Sequence, residues 1–236
     1  MLTCIVIPHF DHLEQWLNNN EERFKIVQMK QLLSERLWSL RGFEDSFIDF
    51  SLNRGFVEEV LEQLMNNCLR VVDALVVRFG DNIDAIGMTE DTGSQRSLLM
   101  NPTMWREVIK PRLKKIYGHV KAQGKYAYFH SCGHIEPIVP DLIEIGIDIL
   151  QPIQPESNDI FKLKREYGRD ICFAGGISTQ KTLPFGSPRE VLDEVNKCLE
   201  VMAKGGGYIM APAKPILPGV PVENAVSLIN RFVKQS

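Results

Sequence analysis

The segment YFHSCGHIEP, residues 128–137, places a histidine and a cysteine two positions apart at the end of a short apolar run. In an extended strand, alternate residues project to the same side, so His130 and Cys132 could grip one ion together. Imidazole and thiolate are both zinc ligands. Gly133 follows at once and would let the backbone turn sharply. The alternative interpretation is a buried cysteine beside a hydrogen-bonded histidine, because two ligands alone do not make a metal site.

Acidic and amide side chains follow an earlier apolar run, in the segment MTEDTGSQ. Glu90 and Asp91 are adjacent there, so one carboxylate should point into a site and its neighbour away from it. Both are candidate catalytic residues, and Gln95 just beyond them is a candidate cofactor-binding residue. The alternative for Asp91 is a turn in which its carboxylate caps backbone amides.

Three later strand ends carry further candidates. They are catalytic Gln154 beside Gln151 in LQPIQP, cofactor-binding Gly175, Gly176 and Gln180 in FAGGISTQ, and catalytic Lys214 in MAPAKP. The two glycines would allow close backbone approach. Each polar residue taken singly also fits an ordinary turn or a solvated loop. Their coincidence at one end of a single predicted sheet favours one site.

The elements that must position these residues alternate between strands and helices. The segment NPTMWREVIKPRLKKIYGHVKAQG predicts a helix that begins at Pro102, is kinked by Pro111 and ends at Gly124. Its helical spacing predicts a buried face made of Trp105, Val108, Ile109, Leu113, Ile116 and Val120. Ser187 and Glu190 have the spacing of a capping box at the start of a later helix.

Upstream, LTCIVIP at residues 2–8 predicts a strand, and residues 53–79 predict a long amphipathic helix. The predicted buried face of that helix consists of Phe56, Val60, Leu64, Cys68 and Val72.

Alternating strands and helices predict an α/β fold with a parallel sheet, either open and doubly wound or closed as a barrel. The glycines at 205–207 follow the C-terminus of a predicted helix, whereas glycine-rich loops that bind phosphate precede the N-terminus of a helix. We therefore predict a TIM-type (β/α)8 barrel. About six units are visible where a complete barrel has eight, so the barrel is predicted to be incomplete at the N-terminus. A single domain is expected over residues 1–236, with 1–34 atypical and 35–236 regular.

Composition narrows the class of protein. The chain has 236 residues, a net charge of −3 and no basic cluster, which argues against a nucleic-acid surface. Five scattered cysteines without paired spacing indicate reduced thiols and predict a cytoplasmic protein. No segment has the pattern of a signal peptide or of a membrane span, so no membrane association is expected.

From about Glu35 onward the chain resembles the uroporphyrinogen decarboxylase superfamily, and most closely its corrinoid-dependent branch of the methylcobamide:coenzyme M methyltransferase type. The matching segments, in order, are ERLWSLRGFED, TEDTGSQRSLLMNPTMWREVIKPRLKKIY, FHSCGHIEPIVPDLIEIGIDILQPIQP, FAGGISTQKTLPFGSPREV and GGGYIMAPAKPILPGVPVENA. The resemblance implies a (β/α)8 barrel with its site at the carboxyl ends of the strands.

The resemblance also implies a function. In this branch the histidine and cysteine of H-x-C-G bind zinc together with a third thiolate near the last strand, and the zinc activates a thiol that takes a methyl group from a corrinoid. His130 and Cys132 match the first two ligands. Lys214 stands where the third is expected, and a protonated lysine is a poor zinc ligand. Three interpretations stay open: Glu90 or Asp91 completes the site, Lys214 is neutral when buried, or no metal binds.

The resemblance leaves two other functions open. One is decarboxylation of a porphyrinogen, for which Asp91 and Lys214 are the candidate residues. The other is a degenerate, non-catalytic paralogue. In either enzymatic case the expected partner is a small-molecule substrate, and methyl transfer adds a corrinoid protein. A homodimer that covers the exposed edge of an incomplete barrel is a further expectation.

Overall fold

The structure is a computed structural model that describes residues 10–19 and 22–233. The predicted strand at residues 2–8 lies outside them. The described residues form two compact units. The first consists of the described part of Met1–Glu90 with Thr103–Phe129 and Ile145–Ile147, and the second of Asp91–Pro102, His130–Glu144 and the described part of Asp148–Ser236.

Most helices and the first three strands belong to the first unit, although Pro102 and His130, at the ends of two of these elements, belong to the second unit. The elements of the first unit are α1 (Phe10–Asn18), β1 (Ile26–Met29), α2 (Ser34–Arg41), α3 (Phe43–Leu52), α4 (Arg54–Phe79), β2 (Ala85–Thr89), α5 (Pro102–Val108), α6 (Lys110–Ala122) and β3 (Tyr126–His130).

The second unit continues the alternation of strands and helices. Its elements are α7 (Val139–Glu144), β4 (Ile149–Ile153), α8 (Ile160–Tyr167), β5 (Cys172–Ile177), α9 (Thr182–Phe185), α10 (Pro188–Met202), β6 (Tyr208–Pro212) and α11 (Val222–Val233).

The strands follow one another in the sheet in the order β1-β2-β3-β4-β5-β6. β1 pairs in parallel with β2, with Ile26 opposite Ala85, and β5 pairs in parallel with β6, with Phe173 opposite Tyr208. Parallel strands in sequence order confirm the predicted α/β class and are the arrangement of a TIM-type barrel, of which the described residues supply six of the eight strands.

The first of these six strands was not predicted. β1 is only four residues long, and polar Lys25, Gln28 and Lys30 interrupt or flank its apolar positions. The predicted number of units is therefore reached with a different first strand, which lies in the segment expected to be atypical.

The long helix α4 begins within one residue of its predicted start and ends as predicted. Its predicted apolar face is confirmed at Cys68 and Val72, which are buried, and is wrong for the other three residues. Phe56 is 48% exposed, and Val60 and Leu64 are only partly buried. The residues that pack into the core are Val57, Leu61, Met65, Cys68, Val72, Leu75 and Phe79. Apolar residues occupy two adjacent stripes of this helix, so spacing alone could not decide which stripe faces the core.

The helix predicted from Pro102 is confirmed, with a break in place of a simple kink. Pro111 has no N–H to donate, and the helix is interrupted at Ile109, between α5 and α6. All six residues of the predicted apolar face are buried: Trp105, Val108, Ile109, Leu113, Ile116 and Val120.

The capping box at the start of α10 is also confirmed. The backbone N–H of Glu190 donates to Oγ of Ser187 at 3.3 Å, and the backbone N–H of Ser187 donates back to Oε2 of Glu190 at 2.7 Å. The reciprocal pair fixes where the helix begins after β5.

Across residues 10–19 and 22–233, none of the helices combines the length and the apolarity that crossing a membrane requires.

Candidate metal centre

Three potential metal ligands converge within the second unit. Nε2 of His130, the last residue of β3, lies 3.3 Å from Sγ of Cys132 and 3.8 Å from Oδ1 of Asp91. One ligand atom from each residue lies within 4.8 Å of the other two. The side chains of His130 and Asp91 remain 19% and 34% exposed, so an ion or a small molecule can reach this point from solvent.

The imidazole of His130 is held in the orientation that a metal ligand needs. Nδ1 lies 2.5 Å from Oε1 of Gln151, on β4. Because an amide oxygen only accepts, Nδ1 carries the proton and donates it. Nε2 is then left with a lone pair directed towards Cys132 and Asp91. Histidine ligands of metals in proteins usually donate their other ring N–H in this way.

The loop after β3 is fixed by two side chains. The backbone N–H of Cys132 donates to Oδ1 of Asp91 at 2.7 Å, and the N–H of Gly133 donates to Oε1 of buried Gln154 at 2.5 Å. Gly133 has a φ of +82°, and a Cβ there would overlap the carbonyl oxygen of Ser94. Asp91 and Gln154 therefore set the position of Cys132, and only glycine fits at the turn that follows it.

Two of the three separations between the ligand atoms, those from Nε2 of His130, fit a tetrahedral zinc site. Zinc bonds of about 2.0–2.3 Å imply that neighbouring ligand atoms lie about 3.3–3.8 Å apart. The two separations given above match this range. The donor set of one imidazole nitrogen, one sulfur and one carboxylate oxygen is also one that zinc accepts, and three protein ligands leave a fourth position for a substrate.

Lys214, two residues past β6, brings a positive charge to the same sulfur. Its Nζ lies 2.8 Å from Sγ of Cys132. Burial raises the pKa of the Cys132 thiol, and the hydrogen bond from Lys214 opposes that rise, while the charge of Asp91 adds to it. The net upward direction means that the metal-free sulfur is mainly protonated at neutral pH.

Glu90, the neighbour of Asp91, has a different environment in the first unit. It is fully buried, and it accepts hydrogen bonds from the backbone N–H groups of Leu33 and Ser34, both at 2.7 Å, and from the hydroxyl of Ser34. Burial raises its pKa to about 7, against the effect of these donors. The structure thus gives Glu90 a role at the start of α2 and brings Asp91 alone to His130 and Cys132.

The candidate cofactor-binding residues fall into two groups. Gln95 and Gln180 lie on exposed loops, where Nε2 of Gln180 donates to Oε1 of Gln95 at 3.0 Å. Gly175 and Gly176 lie inside β5 with φ values of +119° and +93°. A Cβ on Gly176 would lie 2.8 Å from Oη of Tyr208. The glycines thus make room for neighbouring protein atoms, and their role towards a cofactor stays a prediction.

Gln151 is the residue of the site that sequence reasoning undervalued. In the sequence alone it does not stand out as a site residue, because a glutamine next to a proline also fits an ordinary turn. The available signal was its position in the strand after His130, since neighbouring parallel strands bring their carboxyl ends together.

Comparisons with known proteins identify the family of the chain. The profile of the uroporphyrinogen decarboxylase (URO-D) family matches residues 38–234. Methylcobamide:CoM methyltransferase MtaA of Methanosarcina barkeri is 25% identical to the chain over 185 residues, which cover 78% of this chain and 51% of that protein. The chain spans about half the length of the curated relatives it matches.

Two solved structures share the fold. A methyltransferase from Methanosarcina mazei matches with a TM-score of 0.68 and 22% identity, covering 89% of this chain and 59% of the other. Dihydropteroate synthase from Anaplasma phagocytophilum matches with a TM-score of 0.52 and 14% identity, covering 90% and 74%. Identities this low speak for the fold alone. Because the family profile covers most of the chain, however, this protein belongs to the uroporphyrinogen decarboxylase (URO-D) family.

Proposed function

We propose that this chain provides the zinc-binding part of a methyltransferase that moves a methyl group from a corrinoid to a thiol. The observation that carries the proposal is the convergence of Asp91, His130 and Cys132 within 4.8 Å, with His130 oriented by Gln151. The similarity to a methylcobamide:CoM methyltransferase supports the choice of methyl donor and acceptor.

A zinc ion at these ligands would supply a Lewis-acidic centre that lowers the pKa of a bound thiol. In the proposed reaction the thiol would release its proton to solvent, its sulfur would form a bond to the methyl carbon of the substrate corrinoid, and the cobalt–carbon bond would break with its electron pair left on the corrinoid. Atoms and charge balance without a further oxidant or reductant.

The protein's own groups have separate tasks in this proposal. His130 offers Nε2 as a neutral ligand because Gln151 holds the proton on Nδ1. Cys132 offers its sulfur from a loop whose backbone is bonded to Asp91. Asp91 therefore acts twice, as an oxygen ligand and as the acceptor that positions Cys132.

Metal content tests the proposal directly. Wild-type protein, purified in zinc-containing buffer and dialysed, is expected to retain about one zinc per chain by elemental analysis, as a single set of three ligands implies. His130→Ala, Cys132→Ala and Asp91→Ala should each lose it. His134→Ala is the matched control, because His134 lies in the same loop but its Nδ1 contacts the carbonyl oxygen of Ser157 at 2.7 Å. Zinc-free wild-type protein would contradict the proposal.

Activity is a second, separate test. Zinc-loaded protein should convert methylcobalamin and 2-mercaptoethanesulfonate to the methyl thioether, and the three ligand variants should not. Turnover of uroporphyrinogen to a decarboxylated product by metal-free protein would instead establish the alternative function.

A further inference from the structure

Lys214 places a fixed cation against the sulfur that the proposed metal would bind. Its Nζ lies 2.8 Å from Sγ of Cys132, whereas a zinc ion bonded to that sulfur lies about 2.3 Å from it. Both positive groups are therefore drawn to the same atom. Metal binding also requires the sulfur as thiolate, and because the ammonium group is itself hydrogen-bonded to that sulfur, an arriving ion must compete with it for the thiolate.

The site acquires an excess of positive charge when a divalent ion binds next to Lys214. Asp91 and the Cys132 thiolate each contribute one negative charge and His130 is neutral as a ligand, so a divalent ion alone would be fully compensated. The ammonium of Lys214 adds one positive charge a few ångströms away. The metal-loaded site then carries an excess of positive charge until a negative ligand enters.

We infer that Lys214 weakens metal binding at this site and strengthens the binding of a thiolate to the loaded metal. This inference rests on the proposed function and adds to it a residue that sets the preference for an anionic sulfur ligand. The charge of Lys214 repels the metal ion and attracts the thiolate. Removing this charge should therefore raise the affinity for the metal and lower the affinity for the thiolate. No purely structural role of Lys214 has this consequence.

The test uses Lys214→Leu, with Lys214→Gln as a second neutral variant in case the first fails to fold, and Lys214→Arg to retain the charge. Lys204→Leu removes an exposed lysine before β6, at the opposite end of that strand. Zinc affinity is measured by competition with a chromophoric chelator. Binding of 2-mercaptoethanol to cobalt-loaded protein is measured from the sulfur-to-cobalt charge-transfer band.

We expect both neutral variants to bind Zn²⁺ about ten- to a hundredfold more tightly than wild type, and to bind 2-mercaptoethanol about tenfold more weakly, as expected for the loss of one nearby positive charge. Lys214→Arg and Lys204→Leu should resemble wild type. Unchanged or weaker zinc binding by the neutral variants, or unchanged thiol binding, would overturn the inference while leaving the metal centre standing. If wild type and all variants fail to bind zinc, the proposed function fails, and this inference with it.

Discussion

Nδ1 of His130 lies 2.5 Å from Oε1 of Gln151, and this hydrogen bond joins the last residue of β3 to the middle of β4. It determines which nitrogen of the imidazole faces Cys132 and Asp91. The proposed metal centre therefore depends on a residue that is not itself one of the proposed ligands.

Replacing Gln151 by Leu should lower zinc affinity about 10- to 100-fold, because the imidazole loses the acceptor that fixes its tautomer and its orientation. The measurement is a chelator competition titration on folded protein. Gln180→Leu is the matched control, because its amide pairs with Gln95 on exposed loops. Equal affinity in wild type and Gln151→Leu would show that the hydrogen bond does not orient the ligand.

The sequence alone pointed to two of the three candidate ligands that the structure brings together, because their spacing is local. His130 and Cys132 are two residues apart at a strand end, and that strand end could be recognised from the apolar run and the glycine that bound it. The sequence could not decide in the same way whether Glu90 or Asp91 faces the site. Alternation predicts that one side chain points inward, but which one depends on the phase in which the chain leaves β2, and long-range contacts set that phase.

In the fold, too, features set by local sequence were predictable and features set by long-range contacts were not. The apolar face from Trp105 to Val120 was predictable because only one stripe of that helix is apolar. The buried face of α4 was not, because Phe56 and Val57 start two neighbouring apolar stripes and tertiary packing selects the second. β1 was missed because it is short and its stability comes from pairing with β2, which is a contact more than fifty residues away in sequence.

Glu90 should make the stability of the protein depend on pH. Burial raises its pKa to about 7 in the folded state against 4.5 for a solvent-exposed glutamate, so the folded protein binds the proton more tightly than the unfolded chain. The contribution of this group is fully present below about pH 4.5 and is lost as the pH rises through about 7. The loss amounts to about 3 kcal/mol of unfolding free energy. Urea denaturation at intervals between pH 4.5 and 8 measures it.

Glu90→Gln supplies the comparison for this pH dependence. The variant cannot ionise, so the difference in unfolding free energy between wild type and variant should shrink as the pH rises. At pH 5 the variant should be less stable by about 1–3 kcal/mol, because its NH₂ group cannot accept from Leu33 or Ser34 and one buried N–H loses its partner. Parallel pH profiles for the two proteins would show that Glu90 does not titrate in this range.

Gly176 should not tolerate even the smallest side chain. Its φ is +93°, and a Cβ would lie 2.8 Å from the Tyr208 hydroxyl, which donates to the carbonyl oxygen of Gly175. Gly176→Ala should cost about 2–3 kcal/mol of unfolding free energy from backbone strain and loss of that hydrogen bond. Gly55→Ala is the control, because Gly55 lies in α4 with open space around it, and this change should stabilise by up to about 1 kcal/mol. Similar effects at both positions would contradict the close approach seen in β5.

Zinc itself should stabilise the folded protein, because its proposed ligands come from two separate segments of the chain that converge only when the second unit is folded. Free zinc at a hundred times its dissociation constant should add about 2.7 kcal/mol to the unfolding free energy of wild type, provided that the unfolded chain does not bind it. His134→Ala should gain as much, whereas Asp91→Ala and His130→Ala should gain little at the same zinc concentration. Urea denaturation with zinc and with a chelator gives the four differences. An equal gain in all four proteins would mean that zinc binds elsewhere, since the stabilisation would then not require the two ligands that the fold brings to Cys132.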